Sequence, residues 1–129
     1  MPSHSSESIL NSFEVYKNRI ENIYLTWCIQ AVDILEEVYY KKNKISILDI
    51  GCNYFQLWKE IKRRKIKDNY DYQGLDYDNK FINLGLKYFP ELENKYIIGE
   101  ISDIKNKNYD VIVLSAILEH LDNHKKALT

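Results

Sequence analysis

Four short stretches of the chain put an acid or a hydroxyl at the end of an apolar run, and chemistry is to be sought there. The first, Leu48-Asp49-Ile50-Gly51-Cys52-Asn53, joins a carboxylate to a glycine turn. A turn of this kind brings backbone N–H groups close to a ligand, while the acid beside it orients the turn. The second, Gly74-Leu75-Asp76-Tyr77-Asp78, carries its acid some 25 residues after Gly51. A carboxylate about 20 residues beyond a glycine turn is placed to accept hydrogen bonds from ribose hydroxyls. Capping of a following helix is the plain alternative for Asp76, and Asp78 can do that equally well. The third stretch is Gly99-Glu100-Ile101-Ser102-Asp103, and in the fourth Ser115 closes the run Val111-Ile112-Val113-Leu114. His120 is the histidine nearest to this set. Its ordinary pKa near neutrality suits a general base or a group that orients a substrate hydroxyl, with a structural histidine at a helix start as the alternative.

The elements that must position these residues are read from apolar periodicity. Ile9, Phe13, Tyr16, Ile20, Ile23, Trp27, Ala31, Ile34 and Val38 recur at spacings of three and four, which predicts one long amphipathic helix. Ile45 to Ile50 reads as a buried strand, Phe55 to about Lys67 as a helix whose Lys59, Lys62, Arg63 and Arg64 face water, and Tyr70 to Asp76 as a second strand. Asp78 starts a helix that carries Phe81, Ile82, Leu84 and Tyr88 and stops at Pro90. Tyr96 to Ile98 is a short third strand, and Tyr109 to Leu114, rich in β-branched residues, is a fourth buried on both faces. A last helix begins near Asp122. Strands alternating with helices make an α/β fold with a parallel sheet, whose ligands bind beyond the carboxyl ends of the strands. All four stretches fall at such ends.

Composition narrows the function classes. A chain of 129 residues fits one domain, and 45% hydrophobic with 29% charged residues is ordinary for a soluble globular protein. A formal net charge of -1 recommends neither nucleic acid nor an anionic membrane as partner, so a small-molecule substrate is expected. Cys28 and Cys52 build no disulfide framework, and the polar, serine-rich residues Met1 to Ser8 lack the order of a signal peptide; a reducing cytoplasmic compartment is the expectation.

The four stretches together resemble the motifs of class I S-adenosylmethionine-dependent methyltransferases of the small-molecule type, over roughly residues 45 to 121. The most specific match is Tyr109-Asp110-Val111-Ile112-Val113-Leu114-Ser115-Ala116-Ile117-Leu118-Glu119-His120-Leu121, similar to the aromatic-Asp strand and Leu-Glu-His-Leu helix entry of that family. The resemblance implies a Rossmann-like parallel sheet in the order 3-2-1-4, the first part of a seven-stranded fold that this chain leaves incomplete. Residues 1–44 would form an N-terminal helical cap and residues 45–129 the cofactor-binding portion. The N-terminal helix, through Tyr16, Arg19 and Trp27, would lie over the cofactor, with simple packing as the alternative.

For the site the resemblance implies S-adenosylmethionine held by Asp49, Gly51, Cys52 and Asn53 at the first turn. Asp76 would take the ribose, Tyr77 would lie against adenine, Glu100 would meet its exocyclic amine and Ile101 would supply a backbone N–H. Ser115 would approach the methionine portion, and His120 would be the catalytic residue. No metal is expected, because Ala116 stands where metal-binding relatives have their first acid, leaving Glu119 and His120. Two departures stand out. The family has further glycines where this chain has Asn53 and Phe55; asparagine tolerates the left-handed region, whereas Phe55 either narrows the cofactor pocket or packs beneath it. The fourth strand would also present an exposed edge, to be covered by a partner or a further segment. Two other readings remain: a non-catalytic interaction module on the same scaffold, and a nicotinamide-dependent oxidoreductase, whose Gly-x-Gly-x-x-Gly this chain meets only at Gly51.

Overall fold

The computed structural model describes residues 14–15, 17–40, 42–105 and 108–115. Four strands, β1 (Ile45–Ile50), β2 (Tyr70–Asp76), β3 (Tyr96–Ile98) and β4 (Val111–Leu114), form one sheet in the order β3-β2-β1-β4. Every pairing is parallel, with Asp49 opposite both Gly74 and Val113, and Asp76 opposite Ile98. The carboxyl ends of the four strands therefore share one rim. The order and direction are those expected from the sequence, as are the bounds of β1, β2 and β3. Short apolar runs closed by an acid or a glycine leave little freedom in where a strand can stop.

Three helices among the described residues connect the strands and cover the sheet, besides the helical residues 17–22: α1 (Thr26–Val38), α2 (Gln56–Arg63) and α3 (Asn79–Tyr88). Trp27, Val32 and Leu35 of α1, Leu57 and Ile61 of α2 and Ile82 of α3 share one buried cluster with Ile45, Ile47, Tyr70, Tyr72 and Val113 of the sheet. Burial of these side chains, each stabilising by about 1.5–3 kcal/mol, holds the layers together. Asp78 caps α3, its Oδ1 accepting from the Lys80 N–H at 2.9 Å. Helix α2 ends at Arg63, shorter than expected, because Lys65 turns to a φ of 61° and its own N–H bonds the Lys62 carbonyl. No helix among the described residues is long and apolar enough to cross a membrane.

Further expectations need correction. The single N-terminal helix is interrupted: residues 17–22 are helical, residues 23–25 are not, and α1 starts afresh at Thr26. The cause lies forty residues away. The Lys59 ammonium donates to the carbonyls of Arg19, at 2.7 Å, and Ile23, so the first segment ends on a cation from α2. The buried face of α1 is also rotated from the one expected, being Trp27, Cys28, Val32 and Leu35, while Ile34 and Val38 are exposed. Two apolar rows run along this helix, and periodicity alone does not choose between them. Lastly, β4 begins at Val111 and is covered on one face only, since Ile112 is 57% and Leu114 41% exposed. The cations of α2 and its C-cap are more than a solvated face: Arg64, the cap, pairs with Asp33 at 2.8 Å and with Glu60 at 2.7 Å, and Lys62 with Glu91 at 2.9 Å. Ile9, Phe13 and Tyr16 of the expected stripe, and the helix expected near Asp122, lie outside the described residues.

Candidate functional site

The turn after β1 is built on three left-handed residues, Gly51 (φ 77°), Asn53 (φ 54°) and Phe55 (φ 69°). A side chain in this region costs about 1–2 kcal/mol, which glycine escapes and asparagine lessens. The turn is held against the end of β2. The N–H groups of Gly51 and Cys52 both donate to the Leu75 carbonyl, at 2.7 and 3.1 Å, and the Asn53 N–H donates to Asp76 Oδ2 at 2.8 Å. Asn53 Oδ1 in turn accepts from the Tyr54 N–H at 2.9 Å.

Phe55 packs beneath the turn. Its ring is fully buried, edge-on to Tyr72 at 6.3 Å between centroids. It fits there because two glycines stand aside: a Cβ on Gly74 would come within 3.1 Å of the ring, and one on Gly85 of α3 within 2.6 Å. The missing family glycine at position 55 is thus matched by small residues at 74 and 85, and the ring stays out of the rim.

Asp49 is completely buried and joins three strands. Tyr72 of β2 donates its hydroxyl to Oδ2 at 2.5 Å, and Ser115, just past β4, donates to Oδ1. Burial raises the carboxyl pKa to about 6, the Ser115 and Tyr72 hydrogen bonds oppose that rise, and the nearby charge of Asp76 adds to it. The same burial, reinforced by Asp49 and Asp76, lifts the Cys52 thiol well above its usual range, so Cys52 is a packing residue and a poor nucleophile.

Asp76 lies half-buried at the rim with one backbone donor on each oxygen, Asn53 N–H on Oδ2 and Asp78 N–H on Oδ1 at 2.9 Å. Its backbone carbonyl accepts from the Gly99 N–H at 2.9 Å, which links the second loop to the third. Tyr77 and Ile101 are 81% and 61% exposed. Glu100 is exposed and exchanges capping hydrogen bonds with Asp103: its N–H donates to Asp103 Oδ2 at 2.7 Å, and its carboxylate accepts from the Asp103 N–H.

Of the residues singled out in the sequence, Asp49, Gly51, Cys52, Asn53, Asp76 and Ser115 are thus linked by hydrogen bonds or close electrostatic contact, and Glu100, Ile101 and Tyr77 sit on loops at the same rim. His120, with Ala116 and Glu119, lies outside the described residues. Among the described residues no three His, Cys, Asp or Glu side chains gather to hold a metal ion. Sequence reasoning missed Tyr72. Its one signal was position: in a parallel pair it shares a sheet face with Asp49, two residues along from the Gly74 that stands opposite that acid.

Sheet order, glycine turn and acid-ended strands define a Rossmann-like α/β protein, in which the carboxyl ends of β1, β2 and β4 share one rim. A methyltransferase domain family matches residues 48–129. The chain belongs to that family. No curated protein matches it in sequence. Among solved structures it is similar to the plantazolicin methyltransferase BpumL in complex with a triazolic desmethylPZN analog and SAH, at 23% identity and a TM-score of 0.56, covering 84% of this chain and 42% of that one. BpumL in complex with SAH gives 21% identity, a TM-score of 0.51 and coverage of 85% and 42%. The chain therefore spans about two fifths of the length of these structures, and the likeness is one of fold.

Proposed function

We propose that this chain forms the S-adenosylmethionine-binding part of a methyltransferase that methylates an oxygen or nitrogen of a small-molecule or sugar-like substrate. The observation that carries the reading is the bond from the Asn53 N–H to Asp76 Oδ2, which sets the glycine turn of β1 against the acid that ends the neighbouring parallel strand. The donor set suits the cofactor. A carboxylate offers about four lone-pair directions, and two backbone N–H groups on Asp76 leave capacity for a ribose diol. The exposed Tyr77 and Ile101 offer apolar surface for adenine, and Glu100 an acceptor for its amine. The complexes of BpumL with SAH support the same cofactor.

When bound, the cofactor supplies a methyl group on a sulfonium, open to in-line attack by the acceptor atom. The protein's share is positioning and exclusion of water. In this reading Asp76 orients the ribose, the turn of Gly51, Cys52 and Asn53 bears the methionine portion above Asp49 and Ser115, and His120 takes the acceptor's proton. Residues 1–44 are the cap and residues 45–129 the cofactor portion. The interaction-module alternative draws no support from Phe55, whose ring lies beneath the turn, and the oxidoreductase alternative still lacks its second and third glycines.

Calorimetric titration with S-adenosylhomocysteine tests the proposal, with NADH as the competing ligand. Binding of the former alone is expected, weakened tenfold or more by Asp76→Ala, since a hydrogen bond to a charged group contributes about 1.5–3 kcal/mol. Heat with NADH only, or with neither ligand, rejects it.

A further inference from the structure

Tyr72 belongs to none of the motifs that mark the rim, yet it is the one side chain of β2 that reaches Asp49. We infer that Tyr72 is a positioning residue for cofactor binding, acting through Asp49 and Ser115; this rests on the function proposed above. The geometry is a chain of three polar groups from three adjacent strands: Tyr72 hydroxyl to Asp49 Oδ2 at 2.5 Å, and Ser115 hydroxyl to Asp49 Oδ1. All three residues are buried, and the carboxylate has no access to water. An unpaired charge in such a place is strongly disfavoured, so the two hydroxyls are what permit Asp49 to stay ionised there.

The arrangement has a direction. An ionised carboxylate accepts from both hydroxyls at once; a protonated one carries its own donor, and one hydroxyl must then accept from it and turn its own hydrogen elsewhere in a buried site. Ser115 at the end of β4 and Tyr72 of β2 are then no longer both held as donors by one carboxylate of β1, while the Gly51–Cys52 turn keeps its backbone bonds to Leu75. Tyr72 itself stays a donor, because burial first, and the Asp49 charge second, push its phenol far above the usual range. Among the described residues, the other ionisable groups around Asp49 are Asp76, at the end of the same strand as Tyr72, and the Cys52 thiol in the turn. Asp76 repels the Asp49 charge and Cys52 is held neutral by burial, so neither replaces the phenol as a donor that favours ionisation.

Tyr72→Phe keeps the buried ring and deletes only the donor. Removing a hydrogen bond to the charged form raises the pKa of Asp49, so the pH below which affinity falls must move up. The experiment is calorimetric titration with S-adenosylhomocysteine from pH 5.5 to 8.5, on wild type, Tyr72→Phe and Ser115→Ala. Expected for Tyr72→Phe is wild-type affinity at pH 8.5, about threefold weaker binding at pH 6.5 and about eightfold weaker binding at pH 5.5, the pattern of a pKa rise of about one unit. Ser115→Ala, which deletes the other donor, is expected to shift the curve the same way. A purely structural role would lower affinity equally at every pH, or only lower the melting temperature. If wild type binds and both variants follow its curve, or fall in parallel to it, the role given to Tyr72 is wrong while the functional proposal stands. If wild type itself does not bind, the functional proposal fails and this inference with it.

Discussion

Phe55 is where sequence and family pattern disagree most, and its replacement discriminates sharply between two arrangements. The perturbation is Phe55→Gly, which restores the family residue. In the structure the ring fills the space above Gly74 and Gly85, so its removal leaves a cavity; Phe-to-Ala changes in cores lose about 3–5 kcal/mol. Against this, glycine relieves the left-handed strain at φ 69°, about 1–2 kcal/mol. The net expectation is a loss of about 2–3 kcal/mol. Gly85→Ala supplies the complement. Its new Cβ would stand 2.6 Å from Phe55 Cδ2 and 2.8 Å from the Tyr54 carbonyl oxygen. Overpacking of this sort costs about 1–3 kcal/mol, offset by up to about 1 kcal/mol from replacing a helical glycine. Combined, the two changes should lose less than the sum of the single losses, because the methyl group enters space the ring has left, and a coupling of about 1 kcal/mol is expected. The contact with the Tyr54 carbonyl remains in the double variant. The assay is urea unfolding at constant m-value, paired with S-adenosylhomocysteine affinity. A Phe55→Gly protein as stable as wild type and binding the cofactor product more tightly would put the ring in the cofactor pocket and refute the packing described here.

Other consequences follow from single contacts. Asp49→Asn should flatten the pH dependence of stability: with a folded pKa of about 6 against 3.8 unfolded, wild type binds this proton more tightly when folded, so it loses stability as pH rises through that window, by about 3 kcal/mol in all. Urea unfolding at pH 4.5 and 7.5 reads this, and an unchanged difference between the two pH values in the variant would contradict it. Asp78→Ala removes the cap of α3 and should lower stability by about 1 kcal/mol, measured by the shift of the urea midpoint. Lys59→Met deletes the cation that ends the 17–22 segment on α2; faster tryptic cleavage after Lys17 and Arg19 is expected, with the strands still protected from hydrogen exchange, and an unchanged cleavage rate would show that the contact does not hold the segment.

What could be read in advance and what could not divides along the range of the interactions. Strands β1, β2 and β3 and the Asp78 cap are specified by neighbouring residues: β-branched or aromatic runs, an acid or glycine at the end, and a helix starting three residues past Asp76. The break at residues 23–25 has no local cause, neither glycine nor proline, and depends on Lys59 reaching back from α2. The rotated face of α1 depends on which of two apolar rows meets the sheet. The same holds at the site. Positions of Asp49, Asp76 and Ser115 at strand ends were legible because a parallel sheet sends every strand end to one rim. The direction of the Phe55 ring was not, being set by the absence of side chains at Gly74 and Gly85, and the partner of Asp49 was not, being a tyrosine on another strand. Residues contributed by a neighbouring strand through space leave no spacing in the chain to find.

The central claim is that one rim of the sheet binds the nucleoside of the cofactor, and amide chemical-shift mapping during titration with S-adenosylhomocysteine tests it most directly. Expected are saturable shifts confined to the Gly51–Tyr54 turn, to Asp76, Tyr77 and Asp78, and to Glu100 and Ile101, with Leu114 and Ser115 responding as well. Shifts centred instead on the cleft lined by Ile20, Tyr24, Lys62, Arg63 and Tyr88, or no shifts at all, would contradict it.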